Sequence, residues 1–255
     1  MTTRPPRKVI LLPGGVLPAE PAYRGLLLEL DDEVDAVTKD LEVYAGDTPP
    51  AGYSLANEVD GIERVADDRG FAQFHLVGYS GGGAASLAFA AAHPDRLLSL
   101  ALLEPAWAGN EGRSPEEVAL WERFKALPAL GPDEFMRGFT ALQLASGVEP
   151  PAPPPGPPPP WMAKRPAGLT AFIRAFDAGV LDPDALRRFT RPVYFAVGGR
   201  SNPDYYARMA DRLASLFPDF TLERYEERHH FDPPHRREPA RVAAALRLLW
   251  KRAEP

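Results

Sequence analysis

Cysteine is absent from the 255 residues. That excludes a disulfide framework, thiolate metal sites and a cysteine nucleophile, and it is compatible with any redox compartment. Long apolar runs are lacking too. After the segment Met1 to Lys8, the run Val9-Ile10-Leu11-Leu12 stops at Pro13. A signal peptide needs ~7–15 apolar residues and a spanning helix ~20. Neither is expected, no membrane partner is expected, and the protein reads as soluble and cytoplasmic. Positive charge is in deficit: 29 Lys and Arg stand against 35 Asp and Glu, a formal net charge of −6. An acidic chain without a long basic run is poorly suited to nucleic acid. Repeats at solenoid periods are missing as well.

What is present is an apolar content of 45% and 30 prolines. A chain of this size buries roughly three quarters of its unfolded surface. Short apolar runs closed by Gly or Pro read as buried strands of a parallel sheet. Val9–Leu12 is such a run, and Phe74–Val77 before Gly78, Leu97–Leu103 and Pro192–Val197 before Gly198 read as strands too. Asp35–Tyr44 and Phe220–Tyr225 read as further strands. Helical patterns cover Tyr23–Leu30, Ser54–Arg69 before Gly70, Ala84–Ala92 before His93-Pro94, Asp204–Phe217 and Glu238–Trp250. This alternation implies an α/β fold, a mostly parallel sheet with helices on both faces.

Residues 107–190 interrupt the alternation with helical patterns and little strand signal. Ser114-Pro115-Glu116-Glu117 has the form of a capping box, and Asp182-Pro183 opens a shorter helix by the same logic. Pro150 to Pro160 is nearly all proline and prefers extended polyproline II. It reads as a stiff linker; an SH3-type ligand is weakly supported because no basic residue abuts the run. The expected organisation is a core of residues 1–106 and 191–255 with a helical insertion at 107–190.

Gly78-Tyr79-Ser80-Gly81-Gly82 fits G-x-S-x-G between an expected strand and an expected helix. A nucleophile on such a turn sits in a strained backbone, and the flanking glycines let strand and helix approach closely. The turn lifts the hydroxyl clear of the backbone at the positive end of the helix. The plainer alternative is a phosphate-binding βα turn, but both G-x-G-x-x-G and the P-loop Lys-Ser/Thr are missing.

On these residues the chain resembles the α/β-hydrolase family over nearly its whole length. The resemblance implies that residues 107–190 form a cap over the pocket, and that neither a metal nor an organic cofactor is used. Leu11-Leu12-Pro13-Gly14-Gly15 looks like the family's oxyanion loop, with Pro13 where a His is usual. The two backbone N–H donors then map to Gly15 and Gly81, and one such donor is typically worth ~3 kcal/mol. The family keeps its general base after the last strand, and Arg228 to Pro234 resembles that loop, with Phe231 following the base. This assigns His230, with His229 as the alternative and His235 closer to the final helix. His75, inside a strand, and His93, at a helix end, read as structural. A metal site on the His pair lacks a third ligand at convincing spacing. The usual acid position, in a Gly-x-x-Asp pattern after Val197, holds Ser201. The family's second solution places the acid after the strand that follows the elbow helix, which here is Glu104. Asp204 and then Asp232 are the alternatives.

The resulting expectation is a serine hydrolase of a small ester, thioester or amide, working through an acyl-enzyme. Ser80 attacks, His230 moves the proton, and Glu104 orients the imidazole. Carbon–carbon bond hydrolases and cofactor-free lyases share the same serine. A non-catalytic ligand-binding homologue is the reading from another class, favoured by the displaced acid and opposed by the strained elbow. The resemblance includes epoxide hydrolases and haloalkane dehalogenases, but these use Asp at the elbow. Trp107, Phe139, Trp161 and Phe172 suggest an apolar acyl pocket for a small-molecule substrate, although aromatic residues at helical spacing are as readily core.

Overall fold

The computed structural model describes residues 5–152 and 155–254. Residues 153–154 of the proline run lie outside the described residues. Strands β1 (Arg7–Leu12), β2 (Val34–Thr38), β3 (Phe74–Tyr79), β4 (Leu97–Leu103), β5 (Val193–Gly198) and β6 (Phe220–Tyr225) form one sheet in the order β2-β1-β3-β4-β5-β6. All five pairings are parallel. The helices are α1 (Ala19–Leu30), α2 (Leu55–Asp68), α3 (Gly81–Ala92), α4 (Pro115–Ala126), α5 (Pro132–Ala141), α6 (Arg165–Ala178), α7 (Pro183–Arg188), α8 (Tyr206–Ala214), α9 (Pro234–Arg237) and α10 (Pro239–Ala253).

Both faces of the sheet are covered, which is why its central strands are continuous apolar runs rather than alternating ones. In β4, Leu100 and Leu102 pack with Val59 and Ile62 of α2 and Leu87 and Phe89 of α3. Ala101 and Leu103 point the other way, into a cluster with Leu26 of α1 and Leu246 and Trp250 of α10. Each fully buried leucine of this kind contributes roughly 1.5–3 kcal/mol.

Three elements depart from the expectations. The strand expected over Asp35–Tyr44 ends at Thr38, and Glu42–Tyr44 forms a 3-10 turn. The cause is tertiary: the buried Glu58 carboxylate of α2 accepts from the Glu42 and Val43 backbone N–H groups at 2.9 and 3.0 Å, which takes them out of any ladder. The helix expected from Asp204 begins at Tyr206, because the Asn202 side chain accepts from the Asp204 N–H and holds a turn there. The four-residue α9 precedes α10 and is too short to leave a periodic signal.

Between β4 and β5 the chain passes through α4, α5, α6 and α7. Helix α4 starts on a capping box: Ser114 Oγ accepts from the Glu117 N–H at 3.2 Å, and the Glu117 carboxylate accepts from the Ser114 N–H at 2.9 Å. Asp182 caps α7 through the Asp184 N–H. The extended pairing described in this stretch is an isolated antiparallel bridge between Leu144 and Ser201. Among the described residues no helix is long and apolar enough to cross a membrane.

Candidate active site

Strand order reverses at β1, which has β2 on one side and β3 on the other. In open parallel sheets the crevice beyond the carboxyl ends at such a reversal is where ligands bind. The loop after β1 carries Gly14 and Gly15, and the turn after β3 carries Ser80. Ser80 has φ 51° and ψ −115°, a conformation costing a non-glycine residue on the order of 1–3 kcal/mol. The sheet holds it there: its N–H donates to the Leu103 carbonyl at 3.1 Å, and its carbonyl accepts from the Ala106 N–H at 2.8 Å. Gly78 makes the tight crossing of β3 and α3 possible, since a Cβ there would lie 2.8 Å from the Gly82 carbonyl carbon and collide with Ser86 Oγ.

Glu104 follows β4 directly and also has positive φ, 46°. Its N–H donates to the Ala196 carbonyl at 3.1 Å, tying it to β5. The carboxylate is buried, and Oε1 accepts from the Gly198 N–H at 2.7 Å. Oε2 lies 3.1 Å from His230 Nδ1, and His230 Nε2 lies 3.0 Å from Ser80 Oγ. A carboxylate only accepts, so it fixes the proton on Nδ1 and leaves Nε2 free to accept from the serine hydroxyl. The structure thus brings Ser80, His230 and Glu104 into one hydrogen-bonded chain, all three at most 5% exposed.

Two tyrosines that the sequence did not single out grip the imidazole. Tyr206 stacks on it with ring centroids 4.7 Å apart and an interplanar angle of 15°. Tyr79 lies 5.1 Å away, and its hydroxyl donates to the His230 carbonyl. Burial raises the pKa of both phenols well above the ordinary tyrosine value, with the Glu104 charge adding to the effect. Neither tyrosine has a sequence signature, since Tyr79 is the free x of the elbow motif.

The other candidates sit elsewhere. His229 Nδ1 accepts from the Phe231 N–H, and burial lowers its pKa. His235 is fully buried in α9 against Tyr23 and Tyr79, and neither ring nitrogen has a hydrogen-bond partner among the described residues. Burial pushes its pKa down to about 3, with the Arg236 charge acting in the same direction. Asp204 is exposed and pairs with Arg208, while Asp232 pairs with Arg228 and Arg237. Ser201 is buried, and its hydroxyl has no hydrogen-bond partner among the described residues. Among the described residues no group of three His, Asp or Glu is placed to share a metal ion.

Gly15, Ser80 and Gly81 open onto a cavity of about 30 Å³, whose other walls include Trp121, Phe124, Phe139, Leu169, Phe172 and Gln143. That is room for one or two waters. Among the described residues no charged side chain lines it. Gln143 is held at both ends, donating to the Phe139 carbonyl at 2.9 Å and accepting from the Tyr206 hydroxyl at 2.7 Å. Of the aromatic residues flagged in the sequence, Phe139 and Phe172 reach this cavity. Trp107 is core, stacked on Phe176, and Trp161 packs against Arg165. A groove of about 610 Å³ runs along the outer side of α6, between Pro49, Tyr53, Phe135 and Arg174. Tyr53 meets Phe172 edge-on at 5.6 Å and stands between groove and cavity.

The family model for the alpha/beta hydrolase family matches residues 9–245. The chain belongs to that family. RutD of Caulobacter vibrioides, named as a carbamate hydrolase, is 43% identical over 54 residues, 21% of this chain and 20% of that protein. The fluoroacetate dehalogenase of a Burkholderia species is 36% identical over 81 residues, 29% of this chain and 27% of that protein. These matches therefore span less than a third of either relative. Among solved structures, a thermophilic esterase from Thermogutta terrifontis superposes with a TM-score of 0.71 at 19% identity, covering 99% of this chain and 92% of the esterase. MenH from S. aureus gives 0.72 at 15% identity, covering all of this chain and 97% of MenH. At these identities the likeness is one of fold.

Proposed function

We propose that this family member is a serine hydrolase that cleaves a small ester, thioester or amide through an acyl-enzyme. The observation that carries the reading is the imidazole of His230, bonded on one side to Ser80 Oγ at 3.0 Å and on the other to Glu104 at 3.1 Å. Ser80 attacks the carbonyl carbon while His230 Nε2 takes its proton, and the carboxylate of Glu104 stabilises the imidazolium that forms. The carbonyl oxygen becomes an oxyanion held by the N–H groups of Gly15 and Gly81. The Gly81 N–H opens α3 and so has no acceptor within its own helix. His230 then returns the proton to the leaving group, and water repeats the sequence to release the acid. No metal or organic cofactor is needed for these steps.

Residues 107–190 act as the cap over the site in this reading, with α4, α5 and α6 supplying most of the cavity wall. The uncharged aromatic lining suits an apolar acyl group and disfavours a carboxylate-bearing one, which would lose hydration without a partner. The dehalogenase relative does not redirect the proposal. Halide displacement needs a carboxylate nucleophile, and the elbow residue is Ser80.

The test is active-site labelling by a fluorophosphonate together with a screen of p-nitrophenyl esters of varied acyl length. Wild type should label and turn over, and Ser80→Ala should do neither while keeping its circular dichroism spectrum. Full activity in Ser80→Ala would refute the acyl-enzyme.

A further inference from the structure

Helix α6 bears on the loop after β1 through a side chain outside the elbow and its partners. Tyr44, in the 3-10 turn after β2, donates its hydroxyl to the Gly15 carbonyl at 2.6 Å. A face of its ring is covered by Arg165, whose guanidinium carbon stands 3.9 Å from the ring centroid. Trp161 receives the same guanidinium at 5.1 Å. Arg165 is buried, forms no ion pair among the described residues, and leaves Nε without a hydrogen-bond partner. A buried cation needs compensation for lost hydration, and here two aromatic faces provide it.

Gly168 lies three residues further along α6, on the same face as Arg165. A Cβ at this position would overlap the Tyr44 ring and come within 2.7 Å of its hydroxyl oxygen. Glycine inside a helix weakens it, yet only glycine lets the phenol approach this closely to the helix backbone. Leu169 follows, and a Cβ on Gly15 would lie 2.7 Å from its Cδ2. Arg165, Gly168 and Leu169 therefore converge on Tyr44 and Gly15 from one face of one helix.

The loop so gripped is Pro13-Gly14-Gly15, whose two glycines carry no side chain to fix their dihedrals. Resting on the serine-hydrolase reading above, we infer that Tyr44 is a positioning residue. Its hydroxyl fixes the Gly15–Val16 peptide plane and so restrains Gly15 ψ, which holds from its C-terminal side the residue whose N–H faces the oxyanion and ties that residue to the seating of α6. Burial raises the Tyr44 pKa above the ordinary tyrosine value, so the hydroxyl keeps the proton it donates. An oxyanion donor is effective only when preorganised, and misplacement by about 1 Å can cost as much as ~100-fold in rate.

The experiment compares wild type, Tyr44→Phe, Gly168→Ala and the double variant. It reads p-nitrophenyl acetate kinetics, thermal midpoint and inhibition by phenylboronic acid, whose boron takes the serine oxygen as a fourth ligand and mimics the tetrahedral anion. Tyr44→Phe should lower kcat about tenfold with KM within about twofold, and should weaken phenylboronate by a similar factor. Gly168→Ala, which pushes the phenol off the helix, should reproduce that pattern, and the double variant should be no worse than Gly168→Ala alone. An active wild type whose Tyr44→Phe variant keeps full kcat and phenylboronate affinity overturns this inference alone. A loss confined to KM does the same. A wild type inert to esters and to fluorophosphonate overturns the serine-hydrolase reading and this inference with it. Should Tyr44→Phe fail to fold, Gly168→Ala decides by the same split.

Discussion

Glu104→Gln isolates the part played by a charge in the Ser80–His230–Glu104 chain. The substitution keeps shape and volume, and one oxygen remains to accept from the Gly198 N–H, now 2.7 Å from Oε1. The amide nitrogen must then face His230 Nδ1 across the present 3.1 Å. An NH2 group donates, so Nδ1 must accept, and the ring proton moves to Nε2. Nε2 lies 3.0 Å from Ser80 Oγ and can no longer take the serine proton. The opposite amide orientation sets its NH2 against the Gly198 N–H in a buried site, two donors without an acceptor. Either way the tautomer is wrong or the fold is penalised, and the imidazolium loses its counter-charge. The expected loss in kcat is about 10⁴-fold, on the order of 5 kcal/mol of transition-state stabilisation. Stopped-flow hydrolysis of p-nitrophenyl acetate measures it, with a thermal melt to show that the fold persists. A Gln variant retaining more than a tenth of wild-type kcat would refute the assignment. So would a larger loss from Asp204→Asn or Asp232→Asn.

Other expectations follow from separate features. Gly78→Ala sets a Cβ against the Gly82 backbone at 2.8 Å, where no flexible atom can yield, and should cost about 3 kcal/mol, read as a lowered urea midpoint. His235 is neutral in the fold, with a pKa pushed to about 3 from an ordinary 6.5. Between those values the unfolded chain holds the extra proton, so stability drops as pH falls through that window, on the order of 1.4 kcal/mol per pH unit. His235→Leu should remove that slope, and urea unfolding at pH 7 and pH 5 that shows the same acid loss in both proteins would contradict it. Phe172→Ala removes the cavity-side ring of the Phe172–Tyr53 pair that lies between cavity and outer groove. It should lower stability by about 3–5 kcal/mol while shifting the preferred ester from acetate toward longer acyl chains; an unchanged acyl-length profile would exclude Phe172 as the barrier.

The sheet was legible where burial on both faces leaves a short, largely apolar run closed by glycine, as in β3 before Gly78 and β5 before Gly198. Leu41 and Val43 misled because their alternation is that of a strand, while the groups that settle their backbone belong to Glu58 in α2. The elbow could be found because its chemistry needs glycines at fixed offsets. Tyr79, Tyr206 and Tyr44 carry no such offset; each matters through a ring face or a hydroxyl presented to a residue far away in sequence. Aromatic spacing in α4 to α6 likewise does not separate wall from core. Phe172 and Phe176 lie one turn apart and both line the cavity, yet Phe176 also stacks on the fully buried Trp107.

In the proposed serine-hydrolase reading the acid, Glu104, comes from the end of β4, so the loop after β5 need not carry a carboxylate, and the chain uses that loop as a bracket. The Arg200 carbonyl accepts from the Ala145 N–H at 3.0 Å, and the Asn202 N–H donates to the Gln143 carbonyl at 3.0 Å. Asn202 Nδ2 adds a bond to the Leu142 carbonyl at 2.8 Å, beside the Leu144–Ser201 bridge. The segment after α5 is thereby bolted to the same strand end whose Gly198 N–H anchors Glu104. Grafting a different 107–190 segment onto this scaffold to change specificity would therefore have to carry matching backbone at 142–145, or rebuild residues 198–202 with it. The boundary for such a graft is drawn by these hydrogen bonds rather than by the chain positions where the insertion begins and ends.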